Sequence, residues 1–286
     1  MGVEVINEGE LKALVSLLDD DDTEVSTHVE GKIMSLGTTI IPFLEGEWEK
    51  SFNPTVQRRL EDMIHTLQFD LLQERLKAWM DEREDNLLEG LWLIATYQYP
   101  DLEFSKLVRD FEQLFVDVWT EHNPELSPFD QVKMLNSAIF GKLKFSANTK
   151  HFHSPANSMI NTVLESRKGN PISLCVVYML IAQKLDMPVK GVNLPNLFIL
   201  TYKTEKLQFY INVFNKGLVF SKEDINNYIE HLHLVPQESY YQPCANLEII
   251  RRIMRNLIVS FDKLGDYHRT DEIKILLKVL GDEEIY

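Results

Sequence analysis

The 286-residue sequence predicts an α+β fold that is mostly α, with helical repeats leading into a core that carries a small antiparallel β-sheet. Three observations support this. Apolar residues recur at helical spacing through residues 8–81, and they recur again when the sequence is shifted by 31 positions. Between residues 189 and 220 the texture changes to short runs rich in β-branched and aromatic residues, separated by turn formers. Helical spacing then returns to the end of the chain.

In the first stretch Val25 falls on Val56, Val29 on Leu60, Ile33 on Ile64 and Leu36 on Leu67, followed by Ile40 on Leu71 and Trp48 on Trp79. Steps of four, four and three trace one helical face in each copy. Asp19 to Asp22 read as a solvated turn, lacking the ligand spacing and glycine of a calcium loop. Asn53-Pro54 open the second copy, with Asn as cap and Pro at the first helical position. Paired-helix repeats of this length resemble HEAT repeats, and two are too few to bury a core alone.

Three further helical faces are expected. They comprise Leu87, Leu88, Leu91 and Ile94; Leu107, Phe111, Leu114 and Phe115; and Val132, Leu135, Ile139 and Phe140, with breaks at Pro100, Pro124 and Pro128. Asn157 to Arg167 read as one helix. Asn170 is a good N-cap and Pro171 a good first residue for another, running to about Leu185. Strands are expected at Val189–Val192, Leu197–Tyr202 and Leu207–Phe214, with a short fourth at Gly217–Phe220. Ser221–His231 is helical, and a final helical pair spans Asn246–Leu280, broken at Gly265-Asp266. The expected division is 1–84, 85–235 and 236–286.

Composition narrows the function. Lys and Arg number 29 against 44 Asp and Glu, a net charge of −15, which repels a phosphate backbone, so no nucleic-acid partner is expected. The two cysteines, Cys175 and Cys244, cannot make a disulfide framework and fit a reducing compartment. The N-terminus lacks the basic start and apolar stretch of a signal peptide, and Ile6 stands where N-myristoylation after Gly2 wants Ser or Thr. No run is long enough to span a membrane. A cytoplasmic protein with no membrane partner is expected.

The informative stretch is 157–217. It holds Asn157-Ser158, Asn161, then Val163 through Leu174 (Val-Leu-Glu-Ser-Arg-Lys-Gly-Asn-Pro-Ile-Ser-Leu), Gly191-Val192, Pro195-Asn196-Leu197-Phe198, and Asn212-Val213-Phe214 before Gly217. This resembles the SirB family, a branch of the transglutaminase-like superfamily with a papain-like fold. Residues 90–100, Leu135-Asn136, Phe145 and Asn148 fit as well, as does the Arg251–Leu257 helix with Gly265-Asp266-Tyr267, which looks like a tetratricopeptide-type pair.

The resemblance implies a thiol at a helix start, a histidine base on a neighbouring strand and an Asp that orients it. This sequence departs at two of the three positions, and at the third the match depends on the alignment. Leu197 stands where the family has its histidine, and Asn212 where it has its Asp. At the nucleophile position an ungapped count places Pro171, a shift of two places Ser173, and a shift of four Cys175. Cys175 lies in the second turn between apolar residues, where burial raises a thiol's pKa. Losing one member of such a coupled set lowers kcat by on the order of 10⁴–10⁶, about 5–8 kcal/mol.

The expectation is therefore a non-catalytic transglutaminase-like protein that binds a protein or peptide partner. No cofactor and no metal ligand set is expected. The alternative is an amide hydrolase or acyltransferase using Ser173 or Cys175, with a histidine such as His151 or His153. Candidate groove residues are Asn157, Asn161, Arg167, Asn170, Ser173 and Asn196, which equally suit a role of tying the loop backbone together. The His-x-His pairs at 151/153 and 231/233 read as surface histidines near helix ends. Arg251, Arg252 and Arg255 form the densest basic group, either an acid-paired face or a docking face for an acidic partner.

Overall fold

The computed structural model describes residues 7–282, so Gly2 and Ile6 lie outside the described residues. The chain forms two compact units, Met1–Arg75 and Leu76–Tyr286.

The first unit holds α1 (Glu8–Ser16), α2 (Thr23–Met34), α3 (Ile41–Lys50) and most of α4 (Pro54–Glu82). Leu18, Ile33, Leu44 and Leu60 are fully buried at its centre. The acidic run serves as a turn and cap, with Asp22 accepting from the Glu24 amide. Asn53 accepts from the Thr55 amide at 2.9 Å, as the Asn-Pro pair predicts. The two copies differ in one respect. The first is a helical pair whose turn uses Gly37 at φ +71°, with Pro42 opening α3. The second carries Gln68 and Gln73 at those positions and continues as one helix, because neither residue offers a left-handed turn or removes an amide.

The second unit contains α5 (Leu87–Thr96), α6 (Phe104–Trp119), α7 (Pro128–Asn136), α8 (Ile160–Ser166), α9 (Pro171–Lys184), α10 (Lys222–His231), α11 (Asn246–Leu264) and α12 (Tyr267–Val279). Two-residue strands β1 (Ser146–Ala147) and β2 (Lys168–Gly169) pair in parallel. Strands β3 (Val189–Leu194), β4 (Leu197–Lys203), β5 (Gln208–Asn212) and β6 (Leu218–Phe220) form an antiparallel sheet in chain order. The molecule is thus mostly helical with one small antiparallel sheet, as expected.

Helix α9 is the core element. Residues 172–179 are all buried, and a helix apolar on every side must be covered on every side. It packs against β3 and β4, and also against α6, α8 and α11. The closing pair α11–α12 packs within this unit, with α11 touching α5, α9 and β3. A close approach holds α5 in place: a Cβ on Gly90 would lie 2.7 Å from the Trp79 ring and 3.1 Å from Ile250. The Tyr97 hydroxyl donates to Glu272 at 2.6 Å, joining α5 to α12.

Two expected elements are shorter than the periodicity suggests. Residues 155–158 make a tight 3₁₀ turn, Met159 is extended, and α8 begins only at Ile160. The reason is Asn157, whose buried amide donates to the carbonyls of His151 and Phe152 instead of serving a helix. Likewise β5 stops at Asn212 and does not reach Phe214. The Asn212 side chain accepts from the Asn215 amide and caps a 3₁₀ turn over Val213–Asn215.

Candidate functional site

The site is built around the start of α9. Asn170 caps the helix: its side-chain oxygen accepts from the Ser173 amide at 3.0 Å, and the Ser173 hydroxyl accepts from the Asn170 amide at 3.0 Å. The same hydroxyl donates back to the Asn170 carbonyl at 3.2 Å. The Asn170 amide group donates to the buried Ser158 hydroxyl at 2.9 Å. Gly169 precedes this box because nothing larger fits: a Cβ there would lie 2.4 Å from the Ser173 oxygen. Pro171 at the first helical position carries neither a nucleophile nor an amide proton.

Ser173 is thus buried and held in backbone bonds on both sides. Cys175 is 0% exposed, and its thiol donates to the Phe198 carbonyl at 3.5 Å. Burial pushes its pKa well above the ordinary thiol value, with repulsion from Cys244 adding and a backbone bond from Val213 opposing. Both cysteines are free thiols. Cys244, half-buried, is pushed up to about 12, again chiefly by burial.

The two strand positions, Leu197 and Asn212, lie in packing and turn contacts. Side chains alternate across a strand, so Leu197 and Phe198 face opposite sides of β4. Leu197 packs with Val192, Leu194 and Tyr210 in the cluster that includes Ile225 and Ile229 of α10. Phe198 turns the other way, where its ring lies 2.7 Å from the Cβ position of Gly191. Asn212 spends its oxygen on the Asn215 amide.

A cavity of 530 Å³ opens beside the start of α9. Asn170, Pro171 and Ile172 line it from the helix, Asn196 and Phe198 from the sheet, and His153 from the preceding loop. Two of the groove candidates, Asn170 and Asn196, therefore reach this space. The other four sit elsewhere. Ser173 is sealed inside the capping box, and Asn157 is buried beneath residues 151–152. Asn161 lines a separate shallow depression beside Tyr99 and Arg109. Arg167, left-handed at φ 58°, stacks on the Phe145 ring with 5.0 Å between guanidinium carbon and ring centre. Burial lowers its pKa. Polar character alone could not separate those two from the groove, since Asn161 lies within the seven-residue helix α8 and Arg167 is its left-handed C-cap.

The reading of individual residues missed the far wall. Arg252, Arg255 and Asn256 of α11 line the cavity, with Ile258, Val259 and Asp262 one turn further along the helix. The basic group was visible in sequence, and the structure divides it. Arg251 donates to the Leu280 carbonyl and pairs with Glu248, whereas Arg252 and Arg255 reach the cavity. His151 does not line it.

This arrangement is a buried helix with its start against a small sheet and a cavity at that start. A family model described as the transglutaminase-like superfamily matches residues 105–255, more than half of the chain, and the chain belongs to that superfamily. Among curated proteins it is 30% identical over 188 residues to a UPF0162 protein of Xylella fastidiosa (strain 9a5c), covering 63% of this chain and 66% of that protein. It is 25% identical over 179 residues to the UPF0162 protein YchA of Escherichia coli (strain K12), covering 61% and 66%. It is also 26% identical over 152 residues to the F-box only protein 21 of Homo sapiens, covering 50% of this chain and 23% of that one. The chain thus spans 66% of the length of the two bacterial relatives and under a quarter of the F-box protein. No solved structure matches. Among the described residues, no helix is long and apolar enough to cross a membrane.

Proposed function

We propose that this chain is a non-catalytic, SirB-type member of its superfamily, in which the former active-site groove binds a protein or peptide partner. The observation that carries the reading is the start of α9. Acyl transfer needs an accessible nucleophile of lowered pKa beside a base. Here the first turn offers a proline and a serine locked in a capping box, and the nearest thiol is fully buried with a raised pKa. The helix dipole, which in a cysteine hydrolase stabilises a thiolate, is instead met by the neutral Asn170 cap. What persists is a cavity of ordinary ligand-binding size with polar groups placed around apolar walls.

The test is direct. The full chain is incubated with a pool of N-acetylated tetrapeptides, with and without a primary amine, and the products are read by mass spectrometry. Intact peptides are expected, and the Cys175→Ala and Ser173→Ala chains should retain as much peptide as the parent. Cleaved or amine-coupled peptide that disappears in either variant would establish the enzyme reading instead.

A further inference from the structure

We propose that the cavity beside the start of α9 binds an uncharged, extended peptide segment by its main chain, with Asn196 and Asn256 holding one peptide group between them. The inference rests on the partner-binding reading above and names the ligand chemistry of the same site.

The charges of the lining are taken up within the protein. Arg255 holds the Asp282 carboxylate at 2.6 Å, Lys274 pairs with Asp271 at 2.9 Å, and Asp262 accepts from the Thr270 hydroxyl at 2.8 Å. Arg252 donates to the Asn193 side-chain oxygen at 3.4 Å. A charged ligand would lose water here without meeting an unspent counter-charge. Two lining side chains differ. Among the described residues, the side chains of Asn196 and Asn256 have no hydrogen-bond partner. The Ser260 hydroxyl donates to the Asn256 backbone carbonyl, not to its side chain. Neither residue is what the backbone alone would select. Asn196 stands at φ 57° in the turn between β3 and β4, where glycine carries no steric cost. Asn256 lies inside α11, where its helix propensity is below that of alanine.

A peptide group answers both. A carboxamide offers an acceptor oxygen and a donor nitrogen, and the N–H and C=O of a trans peptide point to opposite sides. Asn196 reaches the cavity from the sheet and Asn256 from α11, so one accepts from the peptide N–H while the other donates to its carbonyl. Phe152, Phe198, Ile258 and Val259 supply apolar wall for the side chains that flank this peptide group. Phe152 and Val259 are 45% and 47% exposed, which leaves apolar surface for a ligand to cover. The volume of 530 Å³ accommodates about two or three residues of a peptide.

The experiment is equilibrium dialysis of the full chain against tetrapeptide pools acetylated and amidated at their ends, so that only side chains carry charge. One pool has apolar central residues, and a second has Asp or Lys there. A third repeats the first with the central amide replaced by an ester, which lacks the N–H. The apolar amide pool should bind at least tenfold more tightly than the charged pool and at least fivefold more tightly than the ester pool. Asn196→Gly and Asn256→Ala should each weaken binding of the apolar amide pool at least fivefold, with thermal midpoints equal to or above the parent's. In one of the two variants the preference for amide over ester should vanish, because the acceptor for the peptide N–H is gone; a merely structural role would leave that preference in place. Equal binding of amide and ester by the parent, equal binding of charged and apolar pools, or full binding by both variants would overturn the inference and leave the partner-binding groove standing. Retention of no pool would overturn the partner-binding reading and this inference with it, whereas cleaved peptide would overturn only the non-catalytic reading.

Discussion

Replacing Asn170 by Ala removes two functions at once, and the structure gives their size. The side-chain oxygen accepts from the Ser173 amide at 3.0 Å, and loss of such an N-cap costs about 1 kcal/mol, within a range of roughly 0.5–2. The side-chain amide donates to the Ser158 hydroxyl, which is buried, and removing a partner from a buried polar group costs about 1–3 kcal/mol. Asn170→Ala should therefore lower stability by about 2–4 kcal/mol. Asn170→Asp keeps the cap, places a negative charge at the positive end of α9, and leaves a carboxylate that the Ser158 hydroxyl can donate to; it should cost under about 1 kcal/mol. Urea unfolding of the three chains measures both values. An Ala variant within about 0.5 kcal/mol of the parent would refute the idea that this residue is spent on structure and leave it available as a groove residue.

The other predictions concern close packing and pH. Gly169→Ala should destabilise by about 1–3 kcal/mol, because its Cβ would lie 2.4 Å from the Ser173 oxygen. In a Ser173→Ala background the added cost should shrink, a coupling that a double-mutant cycle detects. Gly217→Ala should be worse, at about 3 kcal/mol or more, since the residue sits at φ +75° and its Cβ would lie 1.9 Å from Asn136, whose amide donates to the Gly217 carbonyl. Stability should fall at alkaline pH. Cys175, Cys244, Tyr97 and Tyr178 all have raised folded-state pKa values, so above the unfolded values near 8.5 and 10 the unfolded chain loses protons that the folded chain keeps. Each group contributes a slope of about −1.4 kcal/mol per pH unit, and unfolding of Cys175→Ala between pH 8.5 and 9.5 should show a shallower fall than the parent.

Much of the scaffold was legible because its signals are local. Asn170-Pro171 with Ser173 three residues past the cap specifies a helix start, and the structure has a capping box there. The turn at Pro195-Asn196 and the β-branched runs on either side give β3 and β4 in order. What escaped detection depends on partners distant in sequence. Nothing in residues 157–159 announces that Asn157 will turn inward to the carbonyls at 151 and 152 and delay α8. The unbroken α4 was in principle readable, since Gln68 replaces the glycine of the first copy, but apolar spacing alone emphasised the likeness and not that difference. At the site, Pro171, Ser173, Leu197 and Asn212 were visible as residue types. Their neighbours were not: which face of β4 Leu197 takes, and which of three clustered arginines reaches the cavity, is decided by how α10 and α11 pack.

The most direct measurement is alkylation of the native chain with iodoacetamide at pH 6 and pH 8, with each cysteine resolved by peptide mass spectrometry. A fully enclosed thiol of raised pKa reacts only when the fold opens, so Cys175 should stay unmodified until denaturant is added, while half-buried Cys244 reacts first. Rapid modification of Cys175 at pH 6 in the folded protein would mean an accessible thiolate at the helix start, and would contradict the account.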